Sequence, residues 1–190
     1  MNKENLINKA IVFATYCHQG DIRKGSEENP IPYILHPLEA GVIAASMTCV
    51  PEVIVAAILH DVVEDTSVSL EDMKKEFGSL VGFLVAEQSE NKRTDKPAED
   101  TWETRKRETI ESVKTISKNS KIVMLSDKLS NMRSIKQDYT KLGNKLWDRF
   151  NQKDKEKQAW YYMSLRDNLS ELEHFEAWKE YNRLVKNVFE

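Results

Sequence analysis

Four ionisable residues close one apolar run: His60, Asp61, Glu64 and Asp65 end the stretch Ala56-Ala57-Ile58-Leu59-His60-Asp61-Val62-Val63-Glu64-Asp65. From Val53 to Leu59 every side chain is small or branched and apolar, so the spacing predicts a helix leaving the core. At about 3.6 residues per turn, His60 and Glu64 share a face, as do Asp61 and Asp65. Carboxylates crowded at a core margin destabilise a fold unless something cationic compensates them. A divalent metal would do so. The bland alternative is that His60 caps or packs while the acids face water.

Asp127 extends the metal reading. It sits in a second strongly apolar stretch, with Ile122, Val123, Leu125, Leu129, Met132 and Ile135 at helical spacing. One imidazole and two carboxylates need one more imidazole to make a convincing site. His174 lies among acids on a late helix and reads as surface material. His18 ends the first helix, where it favours the dipole or lines a pocket edge. His36 stands directly before Pro37 at a helix start. Spacing leaves that choice open. Two imidazoles with two carboxylates suit Mn, Fe, Co or Zn better than an all-oxygen Mg site, and they leave positions for waters, one of which could be a nucleophile.

The elements that must position these groups are all helical. Leu6, Ile7, Ala10, Ile11, Phe13, Ala14 and Cys17 form a stripe that Gly20 stops, followed by a polar loop to Pro32 carrying Arg23 and Lys24. Pro37 and Pro51 each suit a first helical turn. Ser69 with Asp72 has capping-box spacing, and Phe77-Gly78 closes that short helix. The stretch from Glu87 to Asp100 is the most polar and reads as a surface loop, with a long charged helix beginning at Thr101. Asp154 to Glu190 reads as one or two closing helices. No alternating run or hairpin signal appears, so the fold class is all-α, a single-domain helical bundle.

Composition narrows the classes. The 190 residues suit one domain, and a net charge of -3 gives no support for wrapping a polyanion. Nucleic acid and membrane are therefore not expected partners; a homo-oligomer is compatible with the sequence. Cys17 and Cys49 lack metal-type spacing and read as reduced core residues, which with the polar N-terminus points to the cytoplasm.

His36-Pro37, the run Ala56 to Thr66, Phe77-Gly78 and Leu125-Ser126-Asp127-Lys128-Leu129-Ser130-Asn131 occur in an order that resembles a known family. They are similar to the hydrolase domain of the guanosine tetraphosphate and pentaphosphate enzymes, and within it to the stand-alone small alarmone hydrolases of the HD superfamily. The resemblance runs from about residue 14 to about residue 160, with the closing helices from about 154 to 190 completing a domain that spans 1–190. It implies an HD-type all-helical hydrolase with one Mn²⁺ that removes the 3′-pyrophosphate of ppGpp or pppGpp by means of a metal-activated water. The products are GDP or GTP and pyrophosphate.

Carried over residue by residue, the resemblance makes His36, His60, Asp61 and Asp127 the metal ligands and Glu64 and Asp65 the catalytic acids. Arg23 would stack on the guanine, Lys24 would help seat the nucleotide, Asn131 would contact its sugar or base, and Lys128 would support the acidic cluster or a phosphate. Tyr33 lines the sugar site or simply packs. The basic segment 91–107 is stretched relative to the family by Pro97 and Trp102, so the phosphate contact stays open among Lys92, Arg93, Arg105 and Lys106. No synthetase half follows, and the expectation is a chain that degrades alarmone without making it. An HD phosphohydrolase acting on another nucleotide or NADPH is the alternative, and a non-catalytic nucleotide sensor the third.

Overall fold

The computed structural model describes residues 3–26, 29–91, 93 and 95–190. The chain runs through α1 (Lys3–Cys17), α2 (Leu35–Ala45), α3 (Pro51–Leu59), α4 (Val62–Asp65) and α5 (Leu70–Phe77). It continues through α6 (Ser79–Ala86), α7 (Ala98–Val113), α8 (Lys118–Leu142), α9 (Lys155–Asn168) and α10 (Glu176–Phe189). Short 3-10 segments occupy Gly143–Arg149 and Ser170–Leu172. The fold is all-α: among the described residues there is no strand, only an isolated antiparallel bridge between Ile22 and Pro32.

The axis is α8, whose 25 residues extend about 37 Å at 1.5 Å per residue. Ser117 starts it by accepting a hydrogen bond from the Ser120 N–H. Its buried side chains Ile122, Val123, Leu125, Leu129, Met132 and Ile135 pack against α2 and α3 on one side and α10 on another. α10 is strongly amphipathic and buries Ala177, Tyr181, Val185 and Val188, a stripe at helical spacing. One apolar cluster extends from Leu6 to Val188. No helix among the described residues is long and apolar enough to cross a membrane.

The second layer is set by α2 and α3, which cross so closely that a Cβ on Gly41 would meet Ile58 Cγ1 at 2.5 Å. Only glycine permits that approach, and it brings His36 on α2 beside the residues that follow α3. Pro51 stands at the first turn of α3, where its missing N–H costs nothing. The Ser69–Asp72 capping box forms in full at the start of α5. Gly78, at φ 93°, ends α5 and starts α6 in one residue, a conformation that favours glycine.

Three expectations are corrected. The helix through the central cluster is not continuous: α3 stops at Leu59, His60 and Asp61 form a turn, and α4 restarts at Val62. The cause is local. His60 Nδ1 lies 2.8 Å from the Ala57 carbonyl, the oxygen that the Asp61 N–H would take in an unbroken helix. Cys49 is exposed and Cys17 half-buried, so Cys49 is no core residue, because the turn after α2 leaves it facing water. The charged helix α7 begins at Ala98 rather than Thr101, since Pro97 caps its entry and leaves the first turn free to form.

Candidate functional site

The turn between α3 and α4 projects His60 and Asp61 towards α8, and α2 brings His36 in from the side. His36 Nε2 lies 3.3 Å from Asp127 Oδ1 and 3.6 Å from Asp61 Oδ2. His60 Nε2 lies 2.9 Å from Asp61 Oδ2 and 3.5 Å from Asp127 Oδ1. Both imidazoles are buried, with rings 5.1 Å apart and nearly perpendicular. Burial pushes the Asp61 carboxyl up, but the neighbouring His60, with His36 close by, holds it well below its ordinary value. Burial also opposes ionisation of Asp127, and Lys128, followed by the imidazoles, overrides it. For His60, burial disfavours a proton, yet Asp61 and Asp127 raise its affinity well above the usual. The carboxylates demand a positive charge at this point.

Outer contacts fix each group. Ser130 Oγ donates to Glu39 Oε2 at 2.6 Å, so it receives the Nδ1–H of His36 at 2.8 Å and leaves Nε2 facing the cluster. Glu39 in turn pairs with Arg133, which also forks onto Glu180 of α10. His60 is fixed in the same sense by the Ala57 carbonyl. Asp127 is held by Lys128 Nζ at 2.6 Å and by Asn131 Nδ2 at 2.5 Å. The Tyr33 hydroxyl donates to Asp61 Oδ2; burial first, and the Asp61 charge second, keep that phenol protonated.

A cavity of about 250 Å³ opens over this cluster. His36, His60, Asp61 and Asp127 form its floor, Glu64 and Asp65 line it, and Lys128 and Asn131 border it. Arg105 and Lys106 of α7 line the same cavity together with Glu90. Glu64 is half-buried, and its Oε2 receives the Glu90 N–H at 3.4 Å. An adjoining cavity of about 270 Å³ shares His36 and is lined by Arg23 and Lys24. Arg23 reaches across the boundary, with Nη2 3.4 Å from Asn131 Oδ1 and 3.2 Å from Ser134 Oγ, and its guanidinium lies 5.7 Å from the Tyr33 ring centroid. Lys24 is exposed, with Nζ 5.7 Å from the Phe150 ring centroid.

Comparison with known families matches residues 10–154 to the HD domain. The chain belongs to the HD domain family. HD domains are metal-dependent hydrolase domains, and this one is therefore an enzyme of that class. A guanosine-3′,5′-bis(diphosphate) 3′-pyrophosphohydrolase, MESH1, of Drosophila melanogaster is 36% identical over 129 residues, 67% of this chain and 68% of its own length. The solved structure of lmo0812 from Listeria monocytogenes EGD-e superposes with a TM-score of 0.72 at 35% identity, covering 84% of this chain and 98% of that one. A metazoan ortholog of SpoT, described as hydrolysing ppGpp and playing a role in starvation responses, superposes with a TM-score of 0.73 at 28% identity, covering 96% and 94%.

The HD site in this chain fits a divalent ion. Ligand atoms of His36, His60 and Asp127 all lie within 4.8 Å of one another, and Asp61 adds a carboxylate oxygen 2.9 Å from His60. Donors about 2.0–2.2 Å from one ion and at right angles stand about 3 Å apart. His60 Nε2 is buried without a hydrogen-bond partner despite its carboxylate neighbours. With Nδ1 taken up by the Ala57 carbonyl, Nε2 is the nitrogen left to meet a cation among these carboxylates.

Of the four histidines, His36 is thus the second imidazole at the cluster. His18 is buried too, but its Nδ1 meets Asp21 at 3.2 Å and its ring packs on Tyr33. His174 is exposed. In the basic segment Arg105 and Lys106 reach the cavity, whereas Arg93 turns away to pair with Glu108; Lys92 lies outside the described residues. Trp102 is buried against Tyr161 and packs α7 on α9. Sequence reasoning missed Glu90 and Tyr33's hydrogen bond to Asp61. Glu90 carries no local signal beyond a charge in a polar loop.

Proposed function

We propose that this HD enzyme hydrolyses the 3′-pyrophosphate of ppGpp and pppGpp, giving GDP or GTP and pyrophosphate, with Mn²⁺ as its metal. The observation that carries the reading is one cavity lined by His36, His60, Asp61 and Asp127, by the acids Glu64 and Asp65, and by the cations Arg105, Lys106 and Lys128. The similarity to a curated 3′-pyrophosphohydrolase over two thirds of the chain supports the same substrate. The chain acts in the cytoplasm as one hydrolase domain, with a family-like core at about 14–160 and closing helices from about 154 to 190; the apolar cluster from Leu6 to Val188 supports the single domain.

His36, His60, Asp61 and Asp127 hold the metal, which when bound supplies Lewis-acid charge and makes a water easier to deprotonate. Glu64 is the general base: it takes a proton from the attacking water as the water oxygen bonds to the phosphorus next to ribose O3′. The O3′–P bond breaks and O3′ is protonated, with Asp65 the donor or the residue that orients the water. Arg105 and Lys106 receive the phosphate charge. Arg23, already held over Tyr33 and Asn131, stacks on the guanine in the adjoining cavity, and Lys24 helps to seat the nucleotide there. Asn131 meets the sugar or base from the boundary between the two cavities.

The test is purified protein with Mn²⁺ against ppGpp, pppGpp, their adenosine analogues, NADPH and mononucleotides, with every product identified. GDP and pyrophosphate from ppGpp are expected. Turnover of NADPH or a mononucleotide with ppGpp untouched would overturn the substrate assignment while leaving the hydrolase class intact.

A further inference from the structure

Arg105 and Lys106 are consecutive residues of α7, and neighbouring helical side chains leave the axis about 100° apart and do not face each other. Their convergence on one wall of the cavity needs a cause outside the helix. That cause is Glu90, in the loop before α7. Its Oε2 accepts from Arg105 Nη1 at 2.8 Å, and its Oε1 accepts from Lys106 Nζ at 2.7 Å. Thr109 Oγ1 donates to the same Oε1 at 3.1 Å. Both cations and the carboxylate are largely shielded, with side-chain exposures of 11%, 17% and 12%. Lys106 also lies 4.8 Å from the Tyr161 ring centroid.

The charges in this cluster do not balance. Burial pushes the Glu90 carboxyl up, but Lys106, with Lys128 and Arg105 behind it, holds it below its ordinary value. Lys106 is pulled below its ordinary value by burial, with repulsion from Lys128 and Arg105 adding to it and Glu90 only partly offsetting it. One carboxylate faces two cations here, while Lys128 behind them is paired with Asp127. The same Glu90 reaches the reacting side of the cavity, since its N–H meets Glu64 Oε2. The remaining positive charge can meet a further anionic partner at this wall.

We propose that Glu90 is a positioning residue that draws Arg105 and Lys106 onto one point of the wall, so that together they take the pyrophosphate group of the substrate and then of the product. The inference rests on the pyrophosphohydrolase reading for the identity of the anion, and on the geometry alone for the role of Glu90. Without the carboxylate the two side chains follow their separate directions from α7 and can no longer share one phosphate. Asp in place of Glu keeps the charge but, one methylene shorter, cannot span both cations.

The test uses inorganic pyrophosphate, titrated calorimetrically into the metal-loaded protein at fixed free Mn²⁺. Glu90→Ala should weaken pyrophosphate binding about tenfold and raise KM for ppGpp by a similar factor, with Glu90→Asp between it and wild type. In the Arg105→Ala, Lys106→Ala background the same Glu90→Ala change should do nothing further, since the cations it acts through are gone. A purely structural role would lower the melting temperature and leave pyrophosphate affinity per folded molecule unchanged. That result would overturn the proposal, as would tighter binding in Glu90→Ala or an undiminished loss in the cation-free background. If Glu90→Ala does not fold, Glu90→Asp carries the test alone, and wild-type affinity in it would be equally fatal. Pyrophosphate binding that follows this pattern in a protein inert to ppGpp would remove the substrate assignment and keep the role of Glu90. Hydrolysis of ppGpp without pyrophosphate binding would do the reverse.

Discussion

The two walls of the cavity are built in opposite ways. The floor and acidic side come from α2, the α3–α4 turn and α8, helices buried in one apolar cluster, and each proposed ligand is fixed by a partner close behind it. The basic wall comes from a polar loop and one charged helix, and its two cations are drawn together by a single carboxylate from 15 and 16 residues away. A rigid core fixes a metal's geometry to within fractions of an ångström, which coordination requires. An ion cluster at a loop can admit a further anion beside its own carboxylate, which binding and release of a phosphate require. The comparison predicts that damage to the floor is felt in metal content and chemistry, and damage to the nucleotide and phosphate contacts in affinity.

The strongest break in the floor is Asp127→Ala. It removes a ligand, strips Lys128 and Asn131 of their shared partner, and leaves no spare carboxylate at that position. Activity should fall by more than about 10⁴-fold, beyond the loss expected of a general base alone, and elemental analysis should find the metal content reduced with it. A fully metal-loaded Asp127→Ala protein would take Asp127 out of the ligand set.

Glu64→Gln separates chemistry from coordination on the same side of the cavity. Glutamine keeps the size and accepts the Glu90 N–H as before, so fold, metal and substrate binding should be retained while kcat falls about 10²- to 10⁴-fold. Single-turnover hydrolysis of ppGpp by metal-saturated proteins reads this directly, and near-equal rates would exclude Glu64 as the base. Asp65→Asn should be impaired by a smaller factor.

Ser130→Ala probes how far the floor depends on its support. It removes the acceptor of the His36 Nδ1–H and the link to Glu39. Metal affinity should weaken about 10- to 100-fold, with kcat near wild type once the metal is saturating. An unchanged metal titration would show that packing alone orients His36.

Arg23→Ala tests the far side of the boundary, where the smallest effect is expected. Stacking of a guanidinium on a ring contributes about 0.5–2 kcal/mol, so KM should rise about 2- to 30-fold with kcat little changed. A collapse of kcat at constant KM would move Arg23 from substrate capture into the chemistry.

His60, Asp61, Glu64, Asp65 and Asp127 were legible in the sequence because they interrupt apolar runs, where a charged group is conspicuous. Helix positions were legible from Pro51, Ser69, Gly78 and the apolar stripes, since capping and periodicity act over a few residues. The break at His60–Asp61 was not, because it depends on whether one imidazole nitrogen takes the Ala57 carbonyl from the backbone. Nor could the four basic candidates of segment 91–107 be sorted. Direction from a loop or an exposed helix face is decided by distant partners, Glu108 for Arg93 and Glu90 for Arg105 and Lys106.

The sequence by itself therefore determined the all-helical class, the metal-type cluster on α3, α4 and α8, and the family resemblance. Spacing left the second imidazole open and the resemblance named His36, which the packing of α2 brings beside His60; packing alone divided Arg23 and Lys24 into an adjoining cavity and made Glu90 the hub of the basic wall. Local patterns report what neighbours in the chain impose within a turn or two. Convergence of side chains from α2, α7 and α8 on one point is a property of how whole helices pack, and residues 36, 90 and 127 carry no record of their mutual distance until they do.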